Sequence, residues 1–159
     1  MPGMITGLLA LAAGIGFVAG LRSLMAPAAV SWAAHLGWLH LQGSPLAFMG
    51  STAAVAIFSI LAVAELVADK LPTTPNRTKP GPLGARVVMG ALAGACLSVS
   101  AGQSSLAGAV AGGVGGLLGA FAGYEARKRL ISSLRVKDIV IAVLEDLLAL
   151  GLAYSIVRP

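Results

Sequence analysis

Charged residues, cysteine and aromatic residues are scarce in this sequence, and these shortages exclude several classes of protein. Only 11% of the 159 residues are charged, whereas soluble domains carry about 25%. The surface therefore could not be kept in water, which excludes a soluble globular protein. The single cysteine, Cys96, allows neither an intramolecular disulfide nor a Cys-x-x-Cys metal site. It lies in an apolar run, where we expect an inert thiol.

Histidine is also scarce. His35 and His40 are five residues apart, so they do not share one face of a helix. No histidine is placed to serve a buried nucleophile, and we therefore expect no catalytic residue, no enzyme activity, no metal and no cofactor. The net charge of +5 raises the question of nucleic acid. In so apolar a chain we expect the basic loops to face anionic membrane lipids instead.

What the sequence has in quantity is long apolar runs, with 57% hydrophobic residues. A transmembrane helix needs about 20 such residues, so we predict an all-α, polytopic membrane helix bundle in a single domain, residues 1–159. The transmembrane helices are predicted at about residues 4–24, 47–68, 85–101, 104–124 and 138–157. One interfacial helix is predicted at about residues 28–42, because Trp32 and Trp38 are of the type that settles at the headgroup level.

The basic residues predict how the bundle is oriented. Nine of the 11 fall after the second and fourth predicted spans: Lys70, Arg77, Lys79, Arg86, Arg127, Lys128, Arg129, Arg135 and Lys137. The opposite side would hold Arg22 and Arg158. Because positive loops stay inside, we predict that the two basic loops and the N-terminus are cytoplasmic and that the C-terminus is outside.

Glycines recur every four residues in the fourth predicted span. The helix-packing candidates are Gly108, Gly112, Gly116, Gly119 and Gly123, with Gly115 between them. Such a glycine zipper lets another backbone approach closely. Two interpretations stay open: packing inside the bundle, or self-association as a homo-oligomer, for which a homodimer is favoured.

Two short segments suggest an internal repeat. Residues 16–23 (GFVAGLRS) resemble 119–126 (GAFAGYEA), and residues 62–65 (AVAE) resemble 142–145 (AVLE). Spans one and two would then match spans four and five. With one span between the pairs, the copies would be inverted, as in many transporters. Composition alone could also produce such short matches.

Acidic residues occur near the predicted cytoplasmic ends of two spans. Glu65 and Asp69 are one helical turn apart in the second span, and Glu145 and Asp146 are adjacent in the fifth. Charges inside a membrane are expected to face the interior and to pair. We predict an ion or solute site built by Glu65 and Glu145, with Asp69, Asp146 and Arg22 as further candidates. Structural ion pairs are the alternative.

Basic side chains at the same end are candidates for binding a phosphate or an anionic lipid headgroup. They are Arg77, Lys79, Arg86, Arg127 and Arg129. The positive-inside rule alone would produce the same distribution.

The segment AELVADKLP resembles a pattern at the end of the second span in a known family. Glu65, Asp69, Lys70 and Pro72 match it, and a loop with Pro and Arg and a Gly/Ala-rich span follow. The chain thus resembles a bacterial family of small integral membrane proteins catalogued as a domain of unknown function. The resemblance implies a protein of the bacterial inner (cytoplasmic) membrane in which this Glu/Asp/Lys cluster matters, and it implies no activity.

Two functions fit these observations. The first is a small transporter or channel-like protein that moves a small ion or solute through paired intramembrane acids. The alternative is a non-transporting membrane scaffold or anionic-lipid-binding protein.

Overall fold

A computed structural model describes residues 2–69, 78–134 and 138–159, and this part of the chain is helical without any strand. The helices are α1 (Pro2–Leu21), α2 (Met25–His35), α3 (Thr52–Ala68), α4 (Pro80–Ser100), α5 (Ser105–Leu134) and α6 (Asp138–Val157). A short 3-10 helix, Ala47–Gly50, precedes α3. Among the described residues, four helices (α1, α4, α5 and α6) are long and apolar enough to cross a membrane. The predicted helical membrane bundle is therefore confirmed.

Helix α3 is apolar but shorter than these four. Its 17 residues span about 25 Å at 1.5 Å per residue, against a hydrocarbon core of about 30 Å. The predicted span at 47–68 is thus divided into the 3-10 helix and α3. Ser51 separates them and caps α3, because its side chain accepts a hydrogen bond from the Ala54 N–H.

The centre of the bundle is a three-helix unit in which α5 packs against both α1 and α4. A Cβ atom added to Gly20 of α1 would lie 2.5 Å from the Gly116 carbonyl oxygen of α5. One added to Gly90 of α4 would lie 2.6 Å from the Gly112 carbonyl oxygen. No real side chain fits at such distances, so these three backbones are in direct contact.

The remaining glycine candidates of α5 also face neighbouring helices of the same chain. Gly108 faces α4, Gly119 faces α1 at Phe17, and Gly123 is buried. The two faces of α5 that carry glycines thus pack against helices of the same chain. They leave no glycine-lined face of α5 for a second copy of the protein. The homodimer stays a prediction that these glycines do not support.

Helix α2 differs from the interfacial helix predicted at residues 28–42. It runs from Met25 to His35, and eight of its 11 residues are buried. Turns follow at Gly37 and Gly43, both with positive φ, the conformation in which glycine ends helices without strain. Because its alanines allow close packing, α2 lies between α3, α4 and α6, and its exposed side chains are Trp32 and His35.

The path of the chain after α1 corrects the predicted topology. Arg22, directly after α1, pairs with Asp69, directly after α3, so the two helices end at the same end of the bundle. The segment from α2 onwards returns the chain to the far end, where the His40 N–H donates to Ser100 Oγ at the end of α4. Arg22 therefore lies with the basic residues and not opposite them.

Both chain termini point towards the end of the bundle opposite Arg22. Met4 and Leu8 of α1 lie beside Gln103, and Ile156 of α6 reaches Gly14 of α1. The bundle therefore does not support the prediction that the termini lie on opposite sides, because the return through α2 adds a passage between the two ends that the hydropathy pattern did not show.

The helix directions also contradict the predicted inverted repeat. Helix α5 is parallel to α1, since Phe17 and Gly20 of α1 meet Gly119 and Gly116 of α5 while Ala13 meets Gly115. Helix α3 ends with α1, whereas α6 runs antiparallel to α1. No single rotation relates the pair α1 and α3 to the pair α5 and α6.

Candidate functional site

A cluster of buried charges joins four helices at the end of the bundle where α1 stops. Arg22 is completely buried. Its Nε donates to Asp146 Oδ1 of α6 at 2.6 Å, and its Nη1 donates to Asp69 Oδ2 at the end of α3. Its Nη2 has no hydrogen-bond partner among the described residues. One guanidinium thus links α1 to both α3 and α6.

Glu65 of α3 binds the turn between α1 and α2. Its Oε1 accepts from the Ser23 N–H at 2.8 Å and from Ser23 Oγ at 2.5 Å. Its Oε2 accepts from the Leu24 N–H at 2.9 Å. The backbone N–H groups at the start of a helix lack partners within the helix, and a negative charge there is favourable. Glu65 therefore caps α2 from another helix.

Arg86 closes the cluster from α4. It is 4% exposed, and its Nε donates to the Gly20 carbonyl oxygen at 3.0 Å. Its Nη2 lies 3.9 Å from Asp69 Oδ2 and 4.0 Å from Glu65 Oε1. Predicted as a lipid or anion ligand, Arg86 lies instead inside the bundle, where it shares Asp69 with Arg22.

Glu145 belongs to a second group of charges. Arg127 of α5 places Nη1 3.7 Å from Glu145 Oε2, and it donates to both carboxylate oxygens of Asp138 at 2.9 and 2.6 Å. Neighbouring residues on a helix point about 100° apart, so Asp146 reaches Arg22 while Glu145 turns to Arg127. The structure does not bring Glu65 and Glu145 together as a pair.

The other basic candidates do not converge on one place. Lys79 is exposed at the start of α4, and Arg129, 77% exposed, pairs with Glu125 one turn earlier in α5. Arg77 lies outside the described residues, as do Lys70 and Pro72 of the Glu/Asp/Lys/Pro pattern.

A small apolar cavity lies between α5 and α6, next to the Arg127 group. Its volume is about 180 Å³. Apart from Arg127 and Glu145 it is lined by small or aliphatic residues: Leu21, Gly123, Ala126, Leu130, Ile141, Leu144 and Leu148.

Sequence reasoning missed the donors that Glu65 binds, the N–H groups of Ser23 and Leu24. A signal for them was present, since Ser23 shortly precedes Pro27, and proline in the first turn is typical of a helix start. Read in that way, the pattern would have placed a new helix near residue 25.

Two guanidinium groups and three carboxylates therefore meet in an apolar bundle. Isolated charges are costly there and are tolerated when they are paired and hydrogen bonded. When the acids are ionised, their ion pairs hold α3 and α6 against α1. When a proton or a cation neutralises one acid, its ion pair with Arg22 or Arg86 weakens. The charge state of the acids can thus control how firmly these helices contact each other.

These features define the class of the protein: a helical membrane protein with a buried ion-pair cluster at one end of its bundle. The chain belongs to the family described as Domain of unknown function (DUF4126), which matches residues 9–158 and so includes every residue of the cluster. No curated protein and no solved structure matches it.

Proposed function

We propose that this protein is a small transporter or channel-like protein that moves a small ion or solute, with the Arg22 cluster as its functional site. The observation that carries the proposal is the completely buried Arg22, bound by acids from two different helices. Buried intramembrane charges are costly, and they mark ion and solute pathways in membrane proteins.

Within the cluster, Asp69 and Asp146 are the residues best placed to respond to an ion. Asp69 lies between Arg22 and Arg86, so a change at this acid acts on two guanidinium groups. Asp146 holds Arg22 from the other side. A proton or a small cation would compete with Arg22 for these acids, which makes a positively charged species the favoured ion.

The test uses purified protein in liposomes, with entry of H⁺, Na⁺ or K⁺ followed by fluorescent indicators. We expect flux with the wild-type protein and at least a tenfold loss in Asp69→Asn and in Asp146→Asn. Glu125→Gln is the matched control, because it removes a carboxylate of α5 that pairs with exposed Arg129 outside the cluster. Its flux should equal that of the wild type.

Each variant is first shown to elute as the wild type does in detergent, so that loss of flux is not loss of fold. Absence of flux for all three ions in the wild type, or full flux in both aspartate variants, would contradict the proposal.

A non-transporting scaffold that binds anionic lipid is the second candidate. It is favoured by Glu65, whose carboxylate is occupied by three donors of the α1–α2 turn and thus serves the structure. Exposed Lys79 and Arg129 would then hold lipid headgroups. The same preparations distinguish the two functions. The scaffold function requires that the purified protein retains anionic lipid and that the liposomes show no ion flux.

A further inference from the structure

We infer that α3 is a movable helix, held against the rest of the bundle by a latch that consists of Glu65 and Asp69. This inference goes beyond the proposed function and does not depend on it. It rests on how unevenly α3 is attached along its length.

The apolar surface of α3 contributes little to its attachment. Only Ala54 and Val55, near its beginning, are buried, and Phe58 and Leu66 are partly buried against the core. Further along, Ile60, Val63 and Val67 are 69%, 61% and 61% exposed. The helix packs chiefly against α2 and the 3-10 helix, so its second half lacks the close backbone packing that joins α1, α4 and α5.

The beginning of α3 is fixed and can serve as a pivot. The Ser51 cap starts the helix, His35 of α2 hydrogen bonds to the Gly50 carbonyl oxygen at 3.0 Å, and Trp32 Nε1 donates to Ser59 Oγ at 3.0 Å. These contacts hold the first half of α3 to α2.

The end of α3 is fixed by charge instead. Glu65 binds the turn between α1 and α2, and Asp69 binds Arg22. Among the described residues, the other charged groups that face these two acids are Arg86 of α4, Asp146 of α6, which shares Arg22 with Asp69, and Arg127 of α5, whose charge acts on Asp69.

A latch at one end and a pivot at the other give a defined motion. Over the roughly 14 Å of helix beyond Ser59, a tilt of about 25° displaces the far end by about 6 Å. Rigid movement of an element about a few residues at its end is an ordinary form of conformational change. Neutral acids at positions 65 and 69 should therefore release the end of α3 and leave its beginning in place.

The test measures distances between spin labels by double electron–electron resonance in liposomes. Buried Cys96 is first replaced by alanine, and labels are then attached to Val67→Cys and Leu118→Cys, both exposed. A second pair, Ile57→Cys with Leu118→Cys, reports the pivot. Both pairs are measured with native acids, with Glu65→Gln and Asp69→Asn combined, and with Glu125→Gln as the control.

We expect the latch variant to shift or broaden the Val67–Leu118 distribution by about 5 Å or more, with less than half that change for Ile57–Leu118. Glu125→Gln should change neither. If the double variant loses its helical circular dichroism, Glu65→Asp is measured instead. It keeps the charge but shortens the reach, and we expect a smaller shift in the same direction.

Unchanged Val67–Leu118 distances in folded latch variants would overturn the inference, as would equal shifts of both pairs. Because no flux is measured, either result leaves the transport proposal to its own test.

Discussion

At the scale of single residues, Arg22 is the buried cation that pairs with two acids of the described bundle. It is completely buried and holds acids that lie 47 and 124 positions away in the sequence. Removing one partner of a buried ion pair leaves an uncompensated charge, which costs more than the pair itself contributes. We therefore expect the stability of the protein to depend on Arg22.

We predict that Arg22→Gln lowers the free energy of unfolding by about 3–5 kcal/mol, because Asp69 and Asp146 lose their common partner. Adding Asp69→Asn and Asp146→Asn should recover part of this loss, since no buried acid then lacks its cation. Thermal unfolding in detergent measures both effects.

Arg129→Gln is the control for this series. Arg129 is 77% exposed and pairs only with Glu125 among the described acids, so its loss should change stability by no more than about 0.5 kcal/mol. An Arg22→Gln protein as stable as this control would show that the cluster does not hold the bundle together.

At the scale of elements, the three-helix unit is determined by where side chains are missing. The spacing of glycines in α5 predicted a close approach, but it did not say which helices approach or from which sides. Gly112 touches α1 and α4 together, a position available only because both neighbours also carry glycines. Close packing of this kind stabilises helices where water contributes no hydrophobic driving force.

We predict that Gly112→Ala destabilises the bundle by about 1–3 kcal/mol, because its Cβ would overlap the Gly90 carbonyl oxygen and force two backbones apart. Gly151→Ala in α6 is the matched control, since no atom lies within 4 Å of its added Cβ. It should be neutral or stabilising by up to about 1 kcal/mol. Thermal unfolding of both variants under the same condition measures the difference. Equal stabilities would contradict the close contact between Gly112 and Gly90.

At the scale of the whole molecule, the order of helix directions decides the topology. Arg22, Arg86 and Arg127 all lie at one end of the bundle, so the charge bias between the two ends is stronger than the sequence indicated. From the positive-inside rule we expect this end to be cytoplasmic. We then expect both termini to face the other side of the membrane.

We predict that Gly3→Cys and Arg158→Cys, each introduced with Cys96→Ala, react with a membrane-impermeant maleimide from the same side. All of these positions except Cys96 are exposed. Lys128→Cys, exposed at the basic end, should react only from the opposite, cytoplasmic side. Labelling of the two termini from different sides would refute this topology and restore the one read from hydropathy.

The sequence by itself determined the class of protein and most of its helices. The low charge and the apolar runs required a membrane as solvent, and the glycine spacing indicated close helix contact. The acids and Arg22 could be recognised as candidates because charge in an apolar run is conspicuous. These are local properties, since hydropathy and helical period act within one or two turns.

Only the tertiary structure decided which charges pair and in which direction each helix runs. Asp146 and not its neighbour Glu145 holds Arg22, and Glu65 binds backbone N–H groups of a turn 41 and 42 positions away. Helix α2 was the decisive element, because its short buried path reverses the chain and brings the end of α1 to the end of α3. The physical reason is that pairing between distant segments depends on how helices pack, and no local pattern in the chain records that.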